Sequence, residues 1–433
     1  MDKETLNKLR IKTTLLGLRI THFTMDKVYP KDPDPRNWRT VKGEHVHLSN
    51  GKIDGGLGGK WNGRSWSGKK QTNLAGSKEN MPPKQGNVQE NEKKDPCDVR
   101  KEIGYLQQEF ERLYEEAELM GSLYLNKKIK NNYTREECVE ATERAFNVQA
   151  KLMQAKINAA KNGVMISLDK ATYGEHAQKI EKIFTQMPKG YRVLWNMYGD
   201  NVQENFKYKD RAHCAADGTA VFLSIEDDSK GSDFEKPYEV YYHENAHAMD
   251  ILFAQDAHLT YSAKYHNGEF IKAIHEDVEA MMKKVEDEIK PEYEKHLADG
   301  DIDWMHVNRY FSYRKKKLDP KKDKYNKKIT YQELEKRLRK IPLSDRGTLS
   351  DIVSGATKNK CDAGVSHETE YWNDSTYEGV EVGLATEAFA GFIQGYAATP
   401  ERMKILKKYL PNASRVFNNM IEEAAKIEEM RWR

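Results

Sequence analysis

The sequence predicts an α+β protein that is mainly helical and contains a small sheet. Charged stretches at 99–162 and 270–297 repeat apolar residues at steps of three and four, the period of helices that bury one face. Short apolar runs at 192–195 and 218–225 have the composition and the flanking turn residues of strands. An extended peptide is able to pair with a strand such as 218–225, although a purely structural strand has the same pattern.

Composition divides the 433-residue chain into four segments. Residues 1–70 combine short strand patterns with Gly-rich turns, and residues 71–98 are polar and contain prolines, which predicts a disordered linker. Residues 99–162 predict a helical hairpin. Residues 163–433 contain every candidate site residue and predict the functional domain.

Composition also argues against several classes of protein. The formal net charge is +3, too small to predict a nucleic-acid-binding protein. The four cysteines are scattered without metal-type spacing, which predicts free thiols in a reducing compartment. The sequence contains no apolar stretch of about eighteen residues, so it predicts no membrane span. The short apolar piece at 14–18 predicts no secretory signal.

One segment, 314–340, is strongly basic. Such a basic run is able to bind an acidic partner or nucleic acid. A solvated insertion on the domain surface is the favoured interpretation, because only Tyr325 and Tyr331 interleave the basic residues.

The functional pattern on which the interpretation depends is His243-Glu244-Asn245-Ala246-His247, in an uninterrupted run predicted to be helical from Pro237. Residues four apart share one helix face, so His243 and His247 are able to bind one ion. Glu244 is rotated by roughly 100° about the axis, which places it nearer to a water on the metal than to the metal itself. A zinc hydrolase needs this arrangement of two imidazoles, a water and a carboxylate.

A third ligand is predicted far downstream, where Glu387 is the one carboxylate in the apolar helical run 385–392. A buried carboxylate without a partner is costly, whereas a carboxylate that coordinates zinc is satisfied. Two His and one Glu, with water in the fourth position, form a catalytic zinc set. A fortuitous His-Glu-x-x-His in a chain with thirteen histidines is the competing explanation.

Four stretches of the chain carry a family resemblance, which covers residues 165–433. The region resembles the gluzincin metallopeptidases related to anthrax lethal factor. More specifically, it resembles the zinc-peptidase-like domain at the C-terminal end of phage head-morphogenesis (minor capsid) proteins. The stretches are His243–Asp250, Leu349–Gly355, His367–Trp372 and Glu387–Ala390.

The resemblance implies a zincin-like metallopeptidase domain that holds Zn²⁺ through His243, His247 and Glu387. Glu244 would take a proton from water and later pass it to the leaving amine. The implied substrates are peptides or proteins, and phage capsid components are possible partners. The implied location is the cytoplasm of a bacterial host or the virion, with neither a membrane nor nucleic acid as partner.

Three further residues are candidates for supporting roles. Asp250 lies seven residues after His243 on the same helix face, so it is able to orient a ligand imidazole, as carboxylates beside metal sites do. A solvent-facing carboxylate is the alternative. Tyr371 and His367 are candidate donors to the developing oxyanion. Aromatic packing beside Trp372 is the alternative for that pair.

Two rival functions stay open at this point. In one, the protein is a structural component of a phage head and its zinc site only stabilises the fold or is inactive. A closed fourth position on the metal would favour that interpretation, because catalytic zinc sites keep one position open. In the other, the chain is a toxin or effector protease with the same chemistry and a different biological purpose.

Overall fold

The computed structural model describes residues 95–125, 133–166, 174–299 and 322–432, together with the backbone of short strands at 19–24, 27–28, 39–40, 45–49, 55–56, 303–307 and 313–317. Most of the predicted linker 71–98 lies outside the described residues, and so does most of the Gly-rich N-terminal segment. The same is true of part of the basic segment 314–340.

The strands and the α-helices are numbered separately, each in chain order. The strands are β1 (Arg19–Thr24), β2 (Lys27–Val28), β3 (Arg39–Thr40), β4 (His45–Ser49), β5 (Gly55–Gly56), β6 (Gln203–Asn205), β7 (His213–Cys214), β8 (Ala220–Phe222), β9 (Asp303–Val307) and β10 (Tyr313–Lys317). The α-helices are α1 (Pro96–Leu125), α2 (Arg135–Lys161), α3 (His176–Phe184), α4 (Lys189–Tyr198), α5 (Ile225–Asp228), α6 (Glu239–Ala254), α7 (Tyr261–Lys264), α8 (Glu269–Asp299), α9 (Lys327–Leu338), α10 (Leu343–Thr357), α11 (Thr369–Asp374), α12 (Val382–Ala398), α13 (Pro400–Tyr409) and α14 (Pro411–Arg431).

The chain forms two compact units, residues 1–155 with 431–433 and residues 156–430. The division falls inside α2, whereas the sequence predicts a boundary at the end of that helix, at 162/163. The last turns of α2 belong to the second unit because they are buried there. Asn196 donates to the carbonyl of Lys156, and Arg192 donates to the carbonyl of Ala160 at 2.9 Å.

Within the first unit, α1 and α2 form the predicted pair of helices. A capping box begins α2, since the amide of Thr134 donates to Glu137 Oε2 at 2.6 Å and the amide of Glu137 donates to Thr134 Oγ1 at 3.2 Å. Arg144 on α2 donates to Glu116 on α1 at 3.0 Å. Such exposed ion pairs contribute little to the free energy of folding, about 0–1 kcal/mol each.

The second unit is mainly helical and contains a small three-stranded sheet in the order β6-β8-β7, which confirms the α+β prediction. β6 is parallel to β8, and β7 is antiparallel to it. The prediction that a peptide pairs with the strand at 218–225 is wrong in its choice of strand. β8 is central and has both edges paired, so β7 is the edge beside α6, the helix that carries His243 and His247.

The predicted strand at 192–195 is wrong as well, because these residues form part of α4. A short apolar run does not distinguish a buried helix from a strand by periodicity alone. Here Tyr191, Leu194 and Trp195 are almost completely buried in the core at helical spacing. Gly190 permits the close packing, since a Cβ at that position would lie 2.2 Å from the carbonyl oxygen of Ile421 on α14.

The core of this unit supports α12, the helix that carries Glu387. Phe389 and Phe392 of α12 lie against Phe417 of α14, with ring centroids 5.6 Å and 4.9 Å away. Phe270 of α8 completes the group at 6.1 Å from Phe392. Each buried aromatic ring contributes about 2–3 kcal/mol of burial free energy, so this cluster fixes α12 firmly.

An ion-pair junction holds the start of α12. Glu381, at the N-cap, accepts from His275 and from Lys358, whose Nζ lies 2.6 Å from the carboxylate. The hydrogen bond from His275 lowers the pKa of Glu381 most, and the junction as a whole lowers it to about 2. The charged carboxylate therefore stabilises the folded state at pH values above the pKa of an ordinary Glu.

We expect Glu381→Gln to lower the free energy of unfolding by about 1 kcal/mol at pH 7, the contribution of a partly exposed charged hydrogen bond. A depressed pKa in the fold means that this stabilisation is lost as the pH falls from about 4.5 towards about 2. Urea denaturation of both proteins should show similar differences at pH 7 and 5 and a smaller difference at pH 3.5. A difference that stays constant with pH would contradict the assignment.

Candidate metal centre

The helix that bears the two histidines begins later than the sequence predicts. Pro237 is not its first residue, because Tyr238 adopts a left-handed conformation with φ of 68° and the helix starts at Glu239. The first amides are satisfied from another helix. Asp228, at the end of α5, accepts from the amides of Val240 and Tyr241 at 3.2 and 3.0 Å. A carboxylate at a helix N-terminus is also favoured by the helix dipole.

A buried ion pair fixes the same end of α6. Arg402 of α13 lies 2.5 Å from Glu239, and both side chains are almost fully buried. The guanidinium also donates to the carbonyls of Ser344 and Phe234. A buried charge pair contributes to a unique arrangement only when its remaining hydrogen-bonding groups are satisfied, as they are here.

Packing of α12 against α6 brings the three predicted ligands together. His243 Nε2 and His247 Nε2 are 3.1 Å apart. Glu387 Oε2 lies 3.3 Å from the first nitrogen and 3.5 Å from the second. The Glu387 side chain is only 6% exposed. The three side chains therefore form a group that is able to hold a metal ion.

The spacing of these atoms tests whether a metal fits. Ligands bound tetrahedrally at ~2.0–2.1 Å are ~3.3 Å from one another. The three separations of 3.1, 3.3 and 3.5 Å match that value. Within the described part of the chain, Glu387 Oε2 is buried and has no hydrogen-bond partner, a costly situation that a cation among the three atoms relieves.

The electrostatics of the group also favour a bound cation. Burial lowers the pKa of His247, but the adjacent Glu387 carboxylate outweighs burial and raises it to about 9. Burial likewise opposes the charge on Glu387, yet the two imidazoles hold the pKa of that carboxyl well below its usual range. The carboxylate is thus ionised and attracts positive charge to the two ring nitrogens.

A hydroxyl from α12 orients one of the imidazoles. His247 Nδ1 lies 3.1 Å from Thr386 Oγ1, so Nδ1–H donates to the hydroxyl when Nε2 serves as a ligand. Thr386 is not among the residues that the sequence pattern predicts for the site. Its position directly before Glu387 in an apolar run was the available signal, but only the packing of α12 on α6 reveals its partner.

Asp250 does not take the predicted place beside a ligand imidazole. Its buried carboxylate accepts from the amide of Ser262 at 2.7 Å and from the Ser262 hydroxyl at 2.6 Å. The alternative of a solvent-facing carboxylate is wrong too, because Asp250 is fully buried. The residue ties the end of α6 to the start of α7 and reaches the ligands only through its charge, which helps to raise the pKa of His247.

Glu244 is beside the group but is not a member of it. Among the described residues, the groups able to hold a metal do not include Glu244. Its carboxylate lines the same cavity as His243 and His247, and it is 8% exposed. The Glu244 carboxylate also acts on Cys214 of β7, since burial first and then the Glu244 charge raise the pKa of that thiol. Glu244 therefore shares the cavity wall with the two histidines and with Cys214 of β7.

Tyr371 and His367 both face Glu387. The Tyr371 hydroxyl donates to Glu387 Oε1 at 2.7 Å, and His367 Nε2 lies 3.5 Å from the same oxygen. The two rings stack with centroids 4.4 Å apart, and Trp372 packs edge-on against both. The catalytic and the packing interpretations of this pair are therefore not exclusive, because the aromatic packing fixes the polar atoms at the site.

Asp351 was missed by the sequence analysis as a site residue. It is a buried carboxylate on α10, and it accepts from His367 Nδ1 at 3.1 Å. The residues Asp351, His367 and Glu387 form a second group able to hold a metal. His367 uses different ring nitrogens for its two neighbours, which favours an oriented, hydrogen-bonded imidazole over a second cation.

One cavity of about 1120 Å³ is lined by the three candidate ligands together with Glu244, Asp351, His367, Tyr371 and Thr386. Its wall includes β7 with the loop before it, the loop after α6 and the loop after α11. A volume of this size accommodates several residues of an extended peptide, whereas a purely structural metal needs no such space. The candidate metal centre therefore lies at the wall of a cleft and not inside a closed core.

Comparison of the chain with protein-family models, with curated proteins and with solved structures finds no match in any of the three. Among the described helices, none combines the length and the apolar character that are needed to cross a bilayer.

We expect the purified protein to bind close to one divalent metal ion per chain, and His243→Ala, His247→Ala and Glu387→Gln each to remove most of it. Metal analysis after dialysis against a zinc buffer measures this. His258→Ala is the matched control, because His258 lines the same cavity outside the metal group. Full retention of metal by Glu387→Gln would exclude Glu387 as a ligand.

Proposed function

We propose that this chain is a zinc-dependent metallopeptidase with a zincin-like fold. The observation that carries the proposal is the convergence of His243, His247 and Glu387 within 4.8 Å, with Glu244 beside them in an open cleft. Two imidazoles and one carboxylate are the donor set of catalytic zinc in one large class of peptidases. Zinc bound by this set supplies a Lewis acid that polarises a carbonyl and lowers the pKa of water to about 7.

Glu244 is the general base of the proposed reaction. Its carboxylate lies next to the two histidines but is turned off their common face, so it is available to accept a proton from the attacking water. The same group returns the proton to the amine that leaves. Glu244 is largely buried at the cleft wall, where little bulk water competes for the proton.

Tyr371 and His367 are the proposed donors to the oxyanion. Asp351 accepts from His367 Nδ1 and leaves Nε2 directed to the Glu387 side of the cleft. Tyr371 donates to Glu387 Oε1 and thereby leaves Oε2 towards the histidines. Both side chains are held beside the metal group before substrate binds. To stabilise developing charge, Tyr371 would shift its O–H from Glu387 Oε1 to the oxyanion, and His367 would donate through Nε2 in its protonated form.

A peptide is the substrate that suits the shape of the cleft. β7 lies at the edge of the small sheet and contacts α6, and both its residues line the cavity. Among the described strands, only β8 pairs with β7. An extended peptide that adds to this edge would run past Glu244 and the metal group with its backbone hydrogen-bonded.

A metal that only stabilises the fold is supported less well. The metal group in question has three members, and they face a cavity, as expected of a site with one position left for water or substrate. A relation to phage head proteins or to a toxin stays a prediction, since it rests on the sequence resemblance alone.

We expect Glu244→Gln to retain the metal and the thermal midpoint of the wild type while peptide cleavage falls by about 10²–10⁴-fold, the usual effect of removing a general base. A broad library of fluorogenic peptides measures cleavage. Glu269→Gln, a substitution on the exposed side of α8, is the control for loss of one carboxylate. Equal cleavage by wild type and Glu244→Gln would contradict the mechanism, and an inactive wild type would favour a structural metal.

A further inference from the structure

The cleft contains one cation that the proposed mechanism does not use. Among the residues that line it, Arg211 and Arg402 are the two arginines, and no lysine is present. Arg402 is neutralised by Glu239 at 2.5 Å and is almost fully buried. Arg211 is exposed and forms no ion pair with a carboxylate in the described part of the chain. Its charge is therefore available to a ligand.

The backbone that carries Arg211 is held firmly. His213 Nδ1–H donates to the carbonyl of Arg211 at 3.1 Å. The His213 ring stacks on Phe222 of β8 with centroids 4.8 Å apart and an angle of 14° between the planes. Tyr208 packs edge-on against both rings, at 5.2 and 5.5 Å. An aromatic cluster thus anchors both ends of the short loop that presents Arg211.

The guanidinium shares the cavity with the reacting groups. Arg211 lines the same wall-bounded space as His367 and Tyr371, the two proposed oxyanion donors, and as the candidate metal ligands. It also lies two residues before the edge strand β7, along which we expect the peptide to lie.

We propose that Arg211 binds a carboxylate of the peptide substrate close to the scissile bond. The inference rests on the proposed function and names the substrate class of the same site. A planar guanidinium pairs with a carboxylate through two parallel N–H donors, which gives direction as well as attraction. Other charged groups at the cleft wall, such as Asp210, Glu235 and Asp374, are acidic and would repel an anion. A substrate carboxylate is therefore expected at the guanidinium of Arg211 and not beside these groups.

The carboxylate has two chemical sources, an acidic side chain or a free C-terminus. Peptides with Asp or Glu at one position and their Asn or Gln counterparts test the first source. The same peptides with free and amidated C-termini test the second. We expect the wild type to prefer one carboxylate source by about tenfold or more in kcat/KM, the range of a charge-assisted hydrogen bond.

Variants assign that preference to Arg211. Arg211→Gln should reduce the carboxylate-to-amide ratio to near one, and Arg211→Lys should keep part of it. Lys209→Gln is the matched control, because Lys209 is an exposed cation of the same loop whose charge acts on Asp227 and which does not line the cleft. It should leave the ratio unchanged.

Binding separates this inference from the proposed reaction. Fluorescence anisotropy of labelled peptides with Glu244→Gln, alone and combined with Arg211→Gln, measures the same preference without turnover. A preference in binding without cleavage by the wild type would overturn the reaction and keep the role of Arg211. Equal affinity for acid and amide peptides, or a uniform loss for all peptides in Arg211→Gln, would overturn the role of Arg211.

Discussion

Everything proposed for this protein depends on the packing of α12 against α6. The two helices are far apart in the sequence, yet their contact places Glu387 within 3.5 Å of both histidine nitrogens. Without the histidines and a cation beside it, the buried carboxylate of α12 would cost free energy of folding. Together they form a set of three atoms with the separations of tetrahedral ligands. The aromatic cluster around Phe417 keeps α12 in that position.

The second requirement is that α6 be fixed at both ends. Asp228 and the Glu239–Arg402 ion pair hold its N-terminus, and the hydrogen bond from Ser262 to Asp250 holds its C-terminus. Ligands that project from a helix fixed in this way need little reorganisation when a metal or a substrate arrives. Several buried charges of this unit therefore have a positional role, since they set the angle and the depth at which the histidines enter the cleft.

The three members of the metal group were predictable from the sequence, whereas the partners of Asp250 and His367 were not. The helical spacing of the two histidines follows from the chain alone, and Glu387 was identified because an unpaired buried carboxylate needs a cation. Asp351 escaped notice because its partner lies on another element. Asp250 was given the wrong partner for the same reason, since Ser262 is reached only after the chain turns. The run at 192–195 is helical although its short apolar pattern also fits a strand, because periodicity does not separate the two over four residues.

Zinc K-edge absorption of the purified protein, with the ion located by anomalous diffraction from a crystal, tests the central claim most directly. The account predicts one ion between α6 and α12 with two imidazole nitrogens and one carboxylate oxygen at ~2.0–2.2 Å, and a fourth ligand that is not from the protein. Glu387→Gln should alter this spectrum, and Glu244→Gln should not. An ion held by sulfur, by four protein ligands or at another place in the chain would contradict the account.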